Sequence, residues 1–149
     1  MRLAFQRVLS LSWQKTTHKE ERTMSRKAFS PEGAVAVGPY SHAVESGDLV
    51  YLSGQTPLDP ATGRLVEDDV AVQTRQCFRN LFAVLASAGL GQGDVVKVNV
   101  FLTDMADFAR MNEVYKEQFE SPFPARSTIG VAALPLGARV EIEMIARRG

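Results

Sequence analysis

Between Val140 and Arg147 the chain alternates: Val140, Ile142, Met144 and Ala146 are apolar, while Arg139, Glu141, Glu143 and Arg147 carry charge. A period of two over that length predicts a strand with one face in a core. Residues 95–102 repeat the pattern, with Val96, Val98, Val100 and Leu102 on one face. Between residues 68 and 88 the spacing changes to that of a helix: Val70, Cys77, Phe78, Leu81, Leu85 and Ala88 share a stripe, acids stand at its start and Gly89 ends it. A second helix is predicted over 107–119 on Phe108, Met111, Tyr115 and Phe119. Extended runs over 41–45 and 49–54 flank Ser46-Gly47-Asp48, a hairpin turn. Residues 57–63, with two prolines and Thr62-Gly63, read as a loop. A further strand over 125–132 puts Arg126, Thr128, Gly130 and Ala132 on one face. The order β-β-α-β-α-β-β predicts an α+β domain, a mixed sheet with both helices packed on one face.

Composition narrows the function. A chain of 149 residues, 45% hydrophobic, suits one compact domain. Seventeen basic residues balance seventeen acidic ones, which favours neither nucleic acid nor an anionic membrane. No apolar run reaches membrane-spanning length. The single Cys77 excludes an intrachain disulfide framework and fits a reducing compartment, so the cytoplasm is the expected location. Mid-helix beside Phe78 and Leu81, it reads as a small buried hydrophobe rather than a nucleophile. With His18 and His42 as the whole histidine inventory, and no zinc-type spacing or Gly-rich phosphate loop, no metal and no cofactor are expected.

Residues 1–23 differ from the rest, with five basic residues and acids only at Glu20 and Glu21. Their apolar stretch is too interrupted for a secretory signal. An organellar presequence and an over-extended or appended start both fit; the second is expected, with Met24-Ser25 as the natural start, a domain over 24–149 and a disordered extension before it.

The remaining chemistry gathers in the last quarter. Pro124 stiffens the approach to Arg126, whose planar guanidinium matches a carboxylate with parallel donors, and the small residues beyond it leave room for a ligand. Glu141 and Glu143 stand on the charged face of the final strand. Taken alone, these charges read as the solvent face of a sheet. Asn112 sits at the edge of an apolar stripe and reads as a satisfied core amide; Tyr40 reads as a packing aromatic, and Gly54 as a place where the backbone turns or closely approaches something. A tight hairpin centred on Pro135-Leu136 would put Glu141 opposite Gly130, four residues from Arg126, or roughly 13 Å at ~3.3 Å per residue. Three arrangements answer that gap: the strands are not neighbours, the side chains converge from opposite ends of a ligand, or another subunit completes the pocket.

Phe123-Pro124-Ala125-Arg126-Ser127, Leu134-Pro135 and Glu141-Ile142-Glu143 together resemble the hallmark of the RidA/YjgF family, the reactive enamine/imine deaminases. Gly38-Pro39-Tyr40-Ser41, Leu52-Ser53-Gly54-Gln55 and the run from Asp94 to Phe101 agree, in order, over residues 24–147. The resemblance implies a chorismate-mutase-like, trimer-forming domain: a homotrimer with sites between subunits. It implies 2-enamine and 2-imine acids such as 2-aminoacrylate and 2-aminocrotonate as substrates, hydrolysed to 2-oxo acids and ammonia without a cofactor. Carried over by position, Arg126 pairs with the substrate carboxylate and Glu141 orients and deprotonates water. The main chain at Thr128 and Gly54 positions the nitrogen, and Tyr40 and Asn112 line the pocket. Many members have cysteine where this chain has Thr128, so thiol-based regulation does not carry over, whereas a carbonyl role does. Two other classes remain: a non-catalytic binder or chaperone-like protein, and an endoribonuclease, a label some members carry, against which the neutral charge counts.

Overall fold

The computed structural model describes residues 26–149 except Val35, and the expectations for residues 1–23 lie outside it. Its strands are β1 (Lys27–Phe29), β2 (Ala43–Ser46), β3 (Leu49–Gln55), β4 (Leu58–Asp59), β5 (Arg64–Leu65), β6 (Val95–Leu102), β7 (Ala125–Gly130) and β8 (Val140–Arg147). Helices α1 (Val70–Ser87) and α2 (Phe108–Lys116) lie between β5 and β6 and between β6 and β7. Six strands form one sheet in the order β1-β2-β3-β8-β6-β7, with β4 and β5 as a separate ribbon. In the large sheet only β6 and β7 run parallel. The architecture is the expected α+β one, a mixed sheet with two helices.

Local chemistry sets these elements. Asp69 caps α1, its carboxylate accepting from the amides of Ala71 at 2.8 Å and Val72 at 3.1 Å. The predicted α1 stripe is buried, and Thr74 joins it by donating its hydroxyl to the Val70 carbonyl at 2.6 Å. Gln73 is buried too, because its Oε1 accepts from the Arg139 amide at 2.8 Å. Cys77 is fully buried, with Sγ 3.7 Å from the Val140 carbonyl, and burial pushes its thiol pKa up. Val98, Val100, Leu102, Val140, Ile142, Met144 and Ala146 meet the helices in one core. Each of the larger side chains among them contributes about 1.5–3 kcal/mol.

Three expectations need correction. The strand face over 95–102 starts with Val95, not Val96: a register shift between Val95 and Lys97 buries the former and leaves Val96 43% exposed. Residues 57–63 are not all loop, since β4 pairs there with β5. Arg139 does not share the charged face of β8. Its guanidinium reaches Asp68 at 2.6 Å and Asp107 at 3.2 Å, tying together the segments that lead into α1 and α2. Of the three arrangements left open for the last two strands, the first holds: β7 and β8 are not neighbours, because β6 lies between them.

Candidate active site

Strand β7 aligns Arg126 with Val98 of β6, so Arg126 rises on the helix-covered face. There Nη1 donates to Asn112 Oδ1 at 2.7 Å. The guanidinium carbon stands 4.4 Å from the centroid of the Tyr115 ring and 5.7 Å from that of Phe108. These contacts fix the plane of the fork, by hydrogen bond on one edge and by aromatic stacking. Among the described residues Arg126 has no acidic partner. A half-buried cation held so firmly and left without an anion is suited to binding one. Beside it lies a cavity of about 270 Å³ lined by Asn112, Tyr115, Lys116, Phe123, Pro124 and Arg126. A larger groove of about 600 Å³ lies further along the chain's α2–β7 connection, but Glu117 and Glu120 line it and would repel a carboxylate.

Asn112 is thus a ligand of the arginine rather than an amide satisfied within the core. Thr128, two residues on from Arg126 and aligned with Val100, shares its face, and its buried hydroxyl has no hydrogen-bond partner. Tyr115 and Phe108, expected as plain core residues, serve as the bed of the guanidinium. Periodicity finds such rings but not what lies on them.

Glu141 belongs elsewhere. It aligns with Phe101, three residues from Val98 on β6, and an odd offset means the opposite face of the sheet. Two strand spacings and three residues separate the two backbones, roughly 14 Å. On that face Glu141 packs against Gly54: a Cβ there would overlap its Oε1 and stand 3.0 Å from its carboxyl carbon. Gly54 sits in the register shift between Leu52 and Gln55, so the expectation of close approach is met by this carboxylate. Burial first, and Glu143 second, hold the Glu141 pKa above the ordinary carboxylate range. Glu143 itself accepts from Asn99 Nδ2 at 2.9 Å. Tyr40, 47% exposed on the segment leading into β2, meets His42 edge-on at 5.9 Å, and His42 Nδ1 lies 2.9 Å from Ser30 Oγ. Sheet order sets β2 four strands away from β7. The expected residues of one chain therefore fall into two groups, Arg126 with Asn112 and Thr128 on one face and Glu141 with Gly54 on the other. Among the described residues no three His, Cys, Asp or Glu side chains gather as a metal requires.

Residues 31–148 match the family model described as Endoribonuclease L-PSP. The mouse 2-iminobutanoate/2-iminopropanoate deaminase is 47% identical over 125 residues, covering 83% of this chain and 93% of that protein. The chain belongs to the RidA/YjgF family. Protein DfrA of Myxococcus xanthus is 51% identical to this RidA/YjgF member over 128 residues, 84% of this chain and 98% of that protein. The crystal structure of RidA from Psychrobacter sp. PAMC 21119 matches with a TM-score of 0.78 at 46% identity, over 82% of this chain and 99% of that one. No helix among the described residues is long and apolar enough to cross a membrane.

Proposed function

We propose that this RidA/YjgF protein is a cytoplasmic 2-iminobutanoate/2-iminopropanoate deaminase acting as a homotrimer. Arg126 of one copy and Glu141 of the next form each site. The observation that carries the reading is the Arg126 guanidinium, locked by Asn112 and Tyr115 and without an acidic partner among the described residues. Its free edge takes the substrate carboxylate as a bidentate pair. Water held by Glu141 adds to the imine carbon, and Glu141 takes the proton. The carbinolamine then expels ammonia and leaves a 2-oxo acid. A carboxylate whose pKa is raised by burial is a better base near neutral pH than an exposed one. Carbonyls at Thr128 and Gly54 orient the nitrogen, and Tyr40 closes the pocket. No cofactor is needed, since an iminium is already electrophilic and positioning supplies much of the rate.

The opposite-face placement of Arg126 and Glu141 supports a site shared between copies, because no rotamer change carries either side chain through the sheet. The test couples the protein to a threonine dehydratase and times 2-oxobutanoate release. Release should accelerate over the dehydratase alone and fall back with Arg126→Ala. No acceleration would defeat the proposal. A ribonuclease has the family model's description behind it. RNA cleavage that survives Arg126→Ala would belong to a contaminant, and cleavage lost with it would favour that reading.

A further inference from the structure

The Arg126 cavity contains a second cation. Lys116 lines it. It lies four residues after Asn112 on α2, and residues so spaced share a helix face with their Cβ atoms about 5–6 Å apart. Asn112 holds Arg126 at 2.7 Å, so the arginine and the lysine face one space, with the Tyr115 ring beneath the guanidinium. In the last turn of α2, Lys116 has the ordinary role of complementing the helix dipole. That role does not occupy the ammonium. Among the described residues Lys116 makes no ion pair or hydrogen bond. Glu113 on α2 and Glu120 in the segment after it make no ion pair with it, and Glu117 is turned to Arg75 at 3.6 Å. None of the six lining residues is acidic, and Phe123 and Pro124 give the cavity an apolar wall.

We propose that Lys116 tunes this pocket to imino acids bearing a second anionic group, the 2-imino dicarboxylates of four or five carbons. This rests on the deaminase reading of the same site. The α-carboxylate takes the free edge of Arg126, and the distal carboxylate meets Lys116. Carboxylate carbons in such chains lie roughly 4–5 Å apart, a span that two cations lining one small cavity can bridge. A cavity of about 270 Å³ suits a metabolite of this size. The chemistry is unchanged. The water oxygen bonds to the imine carbon, the C–N bond of the carbinolamine breaks, both water protons leave on nitrogen as ammonia, and the distal carboxylate takes no part.

The test generates 2-iminosuccinate and 2-iminobutanoate in place with amino-acid oxidases, and follows loss of the imine by semicarbazide trapping. Calorimetry on 2-oxoglutarate and 2-oxobutanoate gives Kd without turnover. Lys116→Gln should lower the dicarboxylate-to-monocarboxylate ratio of kcat/KM about three- to fivefold, the size of an exposed ion pair. The charge reversal Lys116→Glu should lower it about tenfold or more. The change should fall in KM, the mark of binding made equally in ground and transition states, and the Kd ratio should follow it. Both ratios unmoved by Lys116→Glu would overturn the inference. If neither imine is hydrolysed while the Kd ratio still falls, the deaminase reading fails and the dianion site stands.

Discussion

Replacing Arg126 by lysine separates a fork from a point charge. The arginine uses one Nη1 hydrogen on Asn112 at 2.7 Å and lies 4.4 Å from the Tyr115 ring centroid, which leaves its remaining donors in a fixed plane. Lysine keeps the charge but has one ammonium to share between the Asn112 amide and the substrate. Losing a bidentate charge-assisted pair costs about 3–5 kcal/mol, and a retained single contact returns about 1–2 of that. The net loss is therefore about 2–3 kcal/mol, or roughly 30- to 200-fold in kcat/KM. Arg126→Ala should lose about tenfold more. The assay is the dehydratase-coupled release of 2-oxobutanoate, with far-UV circular dichroism and a thermal melt to show that the variant is folded. Arg126→Lys within threefold of wild type, in a folded protein, would mean that any cation suffices and that the planar geometry has no part in binding.

The pH profile tests Glu141. A base must be ionised, so kcat/KM should rise through a pKa set above the ordinary carboxylate range by burial and then by Glu143. Glu143→Gln removes the like charge yet keeps an oxygen for Asn99, so the acid limb should move to lower pH; an unmoved limb would assign it to another group. The same shift fixes a stability sign. With the folded pKa above the unfolded one, the contribution is fully present below the unfolded value and is lost as pH rises through the folded value. Melts across that window should therefore show Glu141→Gln gaining on wild type as pH rises. Gly54→Ala puts a methyl where the Glu141 carboxylate lies, and the flexible end of the glutamate can swing aside. Stability should change by under about 1 kcal/mol while kcat falls at least about tenfold; a large drop in melting temperature would show instead that the backbone needs this glycine.

Much of the fold is readable because periodicity is a local property. The alternation of Val140, Ile142, Met144 and Ala146 defines a core face, and the helical stripe from Val70 to Ala88 defines another. The reading fails where the outcome depends on a partner strand. Val95 replaces Val96 in the core through a register shift against β8, and that shift leaves no mark in residues 95–102 themselves. Two-residue strands such as β4 and β5 are too short to show a period. The insertion of β6 between β7 and β8 is a matter of chain crossing, and it decides between the arrangements that the sequence leaves open for the last two strands. At the site, Arg126 and Glu141 stand out by residue type and motif. Their assignment to opposite faces follows only from the register on β6. The stack of Arg126 on Tyr115 uses a ring whose own sequence context promises nothing beyond burial.

A site divided between copies makes a prediction that no single-chain site shares. Arg126→Ala and Glu141→Gln chains, each nearly inactive alone, can be unfolded together and refolded as a mixture. At equal amounts, a random assembly of cyclic trimers pairs an intact Arg126 with an intact Glu141 in about a quarter of its sites. Deaminase activity should therefore return to about a quarter of the wild-type value. Activity no greater than the sum of the two variants, in mixed assemblies verified by mass, would place both groups in one chain's site and contradict the shared pocket.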